Sequence, residues 1–211
     1  MTHGCKSMVF YNKLSNYYQR FCWFKKYNIK KNIQQIEELY RDCDGFALAR
    51  AAKQLLPDLS LTYGEIQLES FLALLSMAKP QPSQKFYELG SGTGKTVFAA
   101  EQTYRFKQCV GVETLLALHA VAVNKLQDNN ANITFLHADI LNINLQDADI
   151  IFINVASFVA EYWQLLTKKL VESSAKTILT CSKPMPENIF TIKKTYVQCS
   201  WGVVPAFINT R

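Results

Sequence analysis

The sequence predicts an α/β fold with a mostly parallel sheet, preceded by helices. From Lys85 onward, short apolar runs with strand periodicity alternate with runs of helical periodicity, and this alternation requires crossover connections between parallel strands. The last two strand-like runs, 193–200 and 203–209, have no helix between them, which predicts a C-terminal antiparallel hairpin. With 49% hydrophobic and 19% charged residues in 211 positions, the composition is that of a globular protein.

The elements follow from the spacing of apolar residues along the chain. Two amphipathic helices are predicted within residues 1–41, and two more at 46–56 and 63–77. The predicted parallel strands lie at 86–89, 109–112, 133–137, 148–153 and 176–181. The helices predicted among them lie at 95–104, 115–126 and 158–170. We therefore divide the chain into a basic, aromatic-rich helical segment, 1–60, and an α/β domain, 61–211.

The net charge of +6 belongs to the N-terminal segment. Residues 1–41 contain eight Lys and Arg residues and two acids, whereas the rest of the chain is electrically balanced. The same stretch contains nine of the 26 aromatic residues. Its helices either pack an apolar stripe on the α/β domain with their lysines in solvent, or offer a basic face to a polyanion, an anionic membrane surface or an acidic protein partner. The sequence leaves both interpretations open.

Cysteine usage and hydropathy favour a cytoplasmic location. No apolar run reaches the ~18 residues of a membrane-spanning helix, and the start of the chain lacks the features of a signal peptide. The six cysteines include no C-x-x-C pair, and the three histidines are scattered. We therefore expect neither a disulfide framework nor a metal site, and we expect reduced, buried thiols.

The strongest local signal is a glycine-rich turn, ELGSGTGKT at 88–96, between a predicted strand and a predicted helix. A P-loop would need glycine at Leu89, and the dinucleotide fingerprint would need glycine at Lys95. The remaining pattern, acid-x-G-x-G-x-G, brings the backbone close to a ligand with an amino-acid end and a ribose but no phosphate. It is the signature of class I S-adenosylmethionine (SAM) methyltransferases. The candidate SAM-binding residues in this turn are Glu88, Gly90, Gly92 and Gly94.

Two further acids end the next predicted strands. Glu113 lies 25 residues after Glu88 and can accept both ribose hydroxyls, as the analogous acid does in dinucleotide folds. Asp139 ends the third predicted strand, where an acid can accept the adenine amino group. Each alone could be a solvated strand-end carboxylate, but the ordered set favours a cofactor site at the carboxyl ends of the strands.

The exit from the fourth predicted strand disfavours methylation of nucleobases. Base amino methyltransferases carry Asn/Asp-Pro-Pro-aromatic at this point, whereas this chain reads Asn154-Val155-Ala156-Ser157. Cys181 also lacks the preceding proline that is usual for a 5-methylcytosine nucleophile.

Seven motifs occur in an order that is more telling than any one of them. They are Thr62-Tyr63-Gly64-Glu65, the turn 88–94, Val112-Glu113, Ala138-Asp139-Ile140, Ile151-Phe152-Ile153-Asn154, Cys181-Ser182-Lys183-Pro184 and Ser200-Trp201. Together they resemble the lysine methyltransferases of the disruptor-of-telomeric-silencing type, over about residues 61–211. Those enzymes are non-SET histone-lysine methyltransferases with a Rossmann-like, seven-stranded class I fold, and the resemblance implies that fold here.

The resemblance implies SAM as the cofactor and a protein substrate with a target lysine. It implies SAM contacts from Tyr63, Glu65, Glu88, Gly90, Gly92, Gly94, Glu113, Asp139 and Ile140, with Asn154 beside the methyl group. The chain departs from the family at Val155, Lys95 and Glu88, where the family has asparagine, glutamine and aspartate, and Phe207 is the nearest match to a substrate-channel tyrosine. A methyltransferase of RNA or a small molecule, and a non-catalytic SAM-binding protein, remain open alternatives.

For a lysine acceptor we expect in-line displacement at the sulfonium methyl by a neutral amine. Because free lysine has a pKa of ~10.4, the site must desolvate and deprotonate it. Asn154, predicted beside the point where the strand order reverses, is a neutral acceptor that can orient the amine.

Overall fold

The computed structural model describes residues 22–23, 25–55, 62–127 and 130–211. The strands, β1 to β7 in chain order, are Lys85–Leu89, Gln108–Glu113, Ile133–His137, Ile150–Asn154, Thr177–Cys181, Thr191–Cys199 and Gly202–Thr210. The helices, α1 to α6 in chain order, are Ile29–Leu39, Gly45–Leu55, Leu68–Ser76, Lys95–Tyr104, Leu116–Asn124 and Ala160–Glu172. A 3₁₀ turn, Ile140–Asn142, follows β3.

The seven strands form one sheet in the order β3-β2-β1-β4-β5-β7-β6. The first five strands of this order pair in parallel, whereas β7 is antiparallel to both β5 and β6. This confirms the predicted mostly parallel sheet with a C-terminal hairpin. The strand order reverses between β1 and β4, and in parallel sheets such a reversal opens a crevice at the carboxyl ends of the strands.

Both faces of the sheet are covered, and the apolar runs of the strands supply both cores. On one face Phe71 of α3 packs against Phe86 and Phe152, with ring centroids 6.1 Å and 5.1 Å away. On the other face Ile151 belongs to the cluster that includes Leu166 of α6. Alternate residues of one strand thus enter opposite cores, which explains why these strands read as nearly continuous apolar runs.

Helix α1 packs its apolar stripe on the α/β domain. Ile29 and Ile36 are buried in the same core cluster as the helices that cover the sheet. Just after α1, the hydroxyl of Tyr40 donates to the carbonyl oxygen of Thr93 at 2.6 Å, in the glycine-rich turn. The exposed lysines of this helix are Lys30 and Lys31. The more N-terminal of the two predicted amphipathic helices lies largely outside the described residues.

One predicted helix is substantially shorter than expected. The spacing predicts a helix at 63–77, but α3 begins only at Leu68, and the residues before it are extended. Ile66 forms a bridge with Cys199 at the end of β6. Gly64 lies against Trp201, since a Cβ there would be 2.2 Å from the indole ring. These contacts span more than a hundred residues, so local apolar periodicity does not report them.

The remaining predicted elements agree with the structure to within two residues at each described end. In the described part of the chain, no helix is both long and apolar enough to cross a membrane.

Glu88 of β1 is buried where the sheet meets the first turn of α4. The hydroxyl oxygen of Thr96 lies 2.6 Å from each of its carboxylate oxygens. Burial, and then the charge of Glu113, raise the pKa of Glu88 to about 8, against the opposing effect of the Thr96 hydrogen bond. The carboxyl group is therefore largely protonated in the folded protein at neutral pH.

This buried acid predicts a pH-dependent stability. The unfolded chain releases the Glu88 proton near pH 4.5 and the folded protein near pH 8, so stability falls as the pH rises between these values. Glu88→Gln removes that titration, and we expect the Tm of the variant relative to wild type to increase between pH 5 and pH 9. Thermal unfolding by circular dichroism across this range measures the difference. A Tm difference that does not change with pH would contradict the buried acid, and the exposed Glu172→Gln variant serves as the control.

Candidate functional site

A cavity of about 520 Å³ lies at the carboxyl ends of β1 to β4, where the strand order reverses. Its lining comes from four stretches of backbone. They are the extended segment 62–66, the glycine-rich turn 90–96, the loop 154–159 and the hairpin turn at Trp201. Glu113 of β2 and Asp139 after β3 complete the wall.

The glycine-rich turn has a backbone conformation that favours glycine. Gly90 and Gly92 have φ angles of +82° and +54°, in the left-handed region. The N–H groups of Gly90 and Ser91 donate to the carbonyl oxygen of Val112 at 2.8 Å and 2.9 Å, which attaches the turn to β2. A Cβ at Gly92 would lie 2.8 Å from the ring of Tyr63, so a larger residue would displace that wall.

Gly94 has a different reason to be glycine. Its φ is +83°, and a Cβ there would lie 2.6 Å from the ring of Phe135 on β3 and 2.9 Å from Ala122 on α5. The residue is not among those that line the cavity. Close packing of α4 against β3 and α5 thus explains Gly94, and its predicted cofactor contact stays a prediction that the cavity geometry does not support.

Glu113 has a carboxylate that the backbone fixes in place. One oxygen accepts from the N–H of Gly92 at 2.7 Å, and the other accepts from the N–H of Leu115 at 2.8 Å. Burial raises the pKa of Glu113, while these backbone donors stabilise the charged form. The carboxylate therefore joins the glycine turn to the end of β2 and remains at the cavity wall.

Asp139 begins the 3₁₀ turn after β3. Its Oδ1 accepts from the N–H of Leu141 at 2.9 Å and from the hydroxyl of Tyr162, on α6, at 2.8 Å. Burial and this hydrogen bond to Asp139 raise the pKa of Tyr162, so the phenol is a proton donor at neutral pH. The neighbouring Ile140 is buried and also lines the cavity.

Glu65 occupies the centre of a short polar chain on the α3 side of the cavity. Its Oε1 accepts from the hydroxyl of Tyr63 at 2.6 Å, and its Oε2 accepts from Nζ of Lys95 at 2.8 Å. Burial, and then the charge of Glu65, raise the pKa of Tyr63. Lys95 is the first residue of α4, so the ion pair connects the extended segment 62–66 to that helix.

Asn154 is the last residue of β4 and lines the cavity. Its Oδ1 accepts from the N–H of Ala156 at 3.3 Å, a long hydrogen bond at the start of the loop. Val155, which stands where the related family has a second asparagine, is fully buried in the core and does not line the cavity. The loop is held from outside by Lys183, whose Nζ donates to the carbonyl oxygen of Phe158 at 2.8 Å.

The structure brings nine of the ten predicted site residues to this one cavity. They are Tyr63, Glu65, Glu88, Gly90, Gly92, Glu113, Asp139, Ile140 and Asn154. Phe207, considered as a match to a substrate-channel tyrosine, lies within β7 and is not one of the described lining residues.

Sequence reasoning missed three side chains that shape the site. Tyr162 contacts an acid 23 residues away, and no local motif reports such a contact. Phe158 lines the cavity from the loop after β4, where no motif marks it. Thr96 had a signal, since a hydroxyl one residue into the helix that follows the glycine turn can reach the buried strand acid.

The polar lining of the cavity includes carboxyl groups, hydroxyls, one amide, one ammonium and backbone groups. Within the described residues, no group of three or more His, Cys, Asp or Glu side chains is placed to hold a metal ion. The cysteines of this part of the chain are free thiols, and Cys109, Cys181 and Cys199 are buried. The open space beside Gly90 and the buried hydroxyl of Ser91, which has no hydrogen-bond partner among the described residues, fit a ligand that approaches the turn closely.

Solved structures of methyltransferases share this fold. Magnesium protoporphyrin IX methyltransferase of Synechocystis PCC 6803 with bound SAM is similar with a TM-score of 0.58 and 14% identity, over 85% of this chain and 97% of that one. An RNA methyltransferase of Salinibacter ruber in complex with S-adenosyl-L-homocysteine is similar with a TM-score of 0.55 and 18% identity, over 66% of this chain and 88% of that one. No curated protein sequence matches the chain.

The family is shown by the sequence itself. Residues 53–201 match the family described as histone methylation protein DOT1. This range covers more than half of the chain and includes the extended segment, the glycine turn, the strand-end acids and Asn154. The resemblance inferred from the motif order is thereby confirmed, and the chain belongs to the DOT1 family, with the fold of class I SAM-dependent methyltransferases.

Proposed function

We propose that this protein is a SAM-dependent methyltransferase whose acceptor is the side-chain amine of a lysine in a protein. The observation that carries the proposal is one cavity in which the strand-end acids stand in sheet order beside a neutral amide. Asp139 follows β3, and Glu113 and Asn154 are the last residues of β2 and β4, on both sides of the glycine turn. The family match is consistent with a lysine acceptor.

SAM fits the residues of this cavity. The fixed carboxylate of Glu113 can accept both ribose hydroxyls, and Asp139 can accept the adenine amino group while Tyr162 holds its other oxygen. The turn at Gly90, where a Cβ would meet nothing within 4 Å, leaves room for the rest of the cofactor. When bound, SAM supplies an electrophilic sulfonium methyl group for in-line transfer to a neutral amine.

The wall beyond Asn154 suits an aliphatic side chain with a polar end. Phe158, Val159 and Trp201 line the cavity here, and Val159 and Trp201 are exposed. The methylene stem of lysine can pack on such a surface. Because an apolar environment disfavours the ammonium form, burial of the amine against this wall would favour the neutral state that transfer requires.

Asn154 then orients the acceptor. Its amide oxygen has one long backbone hydrogen bond and retains capacity for a second donor. Accepting one amine hydrogen would aim the nitrogen lone pair without removing a proton. Positioning of this kind supplies much of the rate in reactions that hold the reacting atoms about 3 Å to 3.5 Å apart.

Labelled SAM tests the acceptor class. We expect purified protein, incubated with methyl-labelled SAM and a cell lysate, to label a protease-sensitive fraction in which acid hydrolysis yields methyl-lysine. Label in a nuclease-sensitive fraction would instead support an RNA acceptor, the alternative that the exposed lysines near the N-terminus favour. Absence of any label together with measurable SAM binding would support a non-catalytic SAM-binding protein.

Glu113→Ala tests how the cofactor is held. Loss of a charged hydrogen-bond acceptor costs about 1.5 to 3 kcal/mol, so we expect the Kd for SAM to rise ~10- to 150-fold. Isothermal titration calorimetry measures the change, and the exposed Glu161→Ala variant is the matched control. Because Glu113 also anchors the glycine turn, the circular dichroism spectrum and Tm are compared first. Wild-type affinity in a folded variant would remove Glu113 from the site.

Asn154→Ala separates the acceptor from the cofactor. We expect SAM affinity to stay within a few-fold of wild type, because the side chain acts on the amine. We expect the single-turnover rate to fall roughly 10²-fold, or about 2.7 kcal/mol, through loss of alignment. The exposed Asn124→Ala variant is the control. An unchanged transfer rate would show that Asn154 only shapes the loop after β4.

A further inference from the structure

The charges on the cavity wall are strongly unequal. Among the described lining residues, four are acids and one is a cation. The acids are Glu65, Glu88, Glu113 and Asp139, and the cation is Lys95. Because Glu88 is largely protonated at neutral pH, three carboxylates face one ammonium. SAM carries two positive groups, the sulfonium and the α-ammonium, and one negative group, the carboxylate of its methionyl end. Carboxylate walls attract the first two but repel the third, so the carboxylate needs a cationic partner.

We propose that Lys95 binds the methionyl carboxylate of SAM and makes the site selective for a carboxylated cofactor. The inference rests on the proposed SAM binding and adds the residue that recognises one end of the molecule. Glu65, paired with Lys95, would receive the α-ammonium of the same end. The ammonium of Lys95 would then pair with the ligand carboxylate, and the carboxylate of Glu65 with the ligand ammonium.

The ammonium of Lys95 lies where it can interact with both Glu65 and a ligand in the cavity. Its Nζ lies 2.8 Å from Oε2 of Glu65 and 5.6 Å from the ring centroid of Tyr40. The side chains of Lys95 and Glu65 are 26% and 27% exposed, so neither charge is sealed off from a ligand. Tyr63 holds the other carboxylate oxygen of Glu65 at 2.6 Å, which keeps that acid in place when the lysine turns to a new partner.

The energetics favour such an exchange. An ion pair with this much exposure contributes little to stability, because water competes for both charges. Lys95 also stands at the first position of α4, where backbone N–H groups without helical partners and the helix dipole favour an anion. A zwitterionic ligand replaces this one partly exposed ion pair with two ion pairs, so that neither Lys95 nor Glu65 is left without a partner.

The test compares SAM with decarboxylated SAM, which keeps the sulfonium and the amine but lacks the carboxylate. Calorimetry with wild type, Lys95→Met and Lys95→Arg gives the Kd for each ligand. We expect Lys95→Met to weaken SAM binding ~10- to 100-fold, as for loss of a charged hydrogen bond, while the affinity for decarboxylated SAM is unchanged or increases. Lys95→Arg should restore most of the SAM affinity.

Lys125→Met is the matched control. Its Nζ lies 5.7 Å from the centroid of the same Tyr40 ring, but it is not among the described lining residues. We expect this variant to bind both ligands as wild type does.

Equal weakening of SAM and decarboxylated SAM by Lys95→Met would overturn the proposal. It would mean that the lysine only maintains the shape of the cavity wall and does not contact the carboxylate. An unchanged Kd for SAM would also overturn it. Failure of the wild type to bind either ligand would instead reject the proposed SAM binding itself.

Discussion

The hydrogen bond from the N–H of Gly92 to the carboxylate of Glu113 is the constraint on which the site depends. It joins the glycine turn after β1 to the end of β2, and two further N–H groups of the turn donate to the carbonyl oxygen of Val112. Because the left-handed φ angles of the glycines point these N–H groups toward β2, the opposite side of the turn faces the cavity. The turn, the two strands and the start of α4 therefore form one rigid edge, and the other walls are arranged around it.

That rigidity is obtained with buried acids, which destabilise the protein when no ligand is bound. Glu88 and Glu113 are both buried, and the charge of Glu113 raises the pKa of Glu88. A chain selected only for stability would place apolar or neutral side chains here. A cationic ligand at the cavity would offset this cost, so the same acids that weaken the free protein strengthen the complex. The predicted pH dependence of stability thus originates in an acid that also lines the cavity.

Most of the fold could be predicted from the sequence, because the parallel sheet is read from local periodicity. The strand-end acids could also be placed, since strands that run in parallel bring their carboxyl ends to one edge. The late start of one helix came from a contact between distant segments, because Ile66, within the helix predicted at 63–77, bridges to β6. Gly94 has a packing reason in its contact with Phe135, and its cofactor contact stays a prediction. A glycine motif indicates positions with positive φ angles or close packing, but it does not indicate at which of them a ligand binds.

Helix α1 shows how the same limit applies to the basic N-terminal segment. The sequence left open whether its amphipathic helices pack on the domain or serve a partner, and for α1 the apolar stripe is buried. Tyr40, just after α1, also contacts the candidate site. Its hydroxyl donates to the carbonyl oxygen of Thr93, and its ring lies below the ammonium of Lys95. The lysines of α1 stay in solvent on the other side of the same helix. Removing residues 1–41 would therefore disturb the glycine turn together with the basic surface, so any effect of the charges has to be measured by neutralising exposed lysines while Tyr40 is kept.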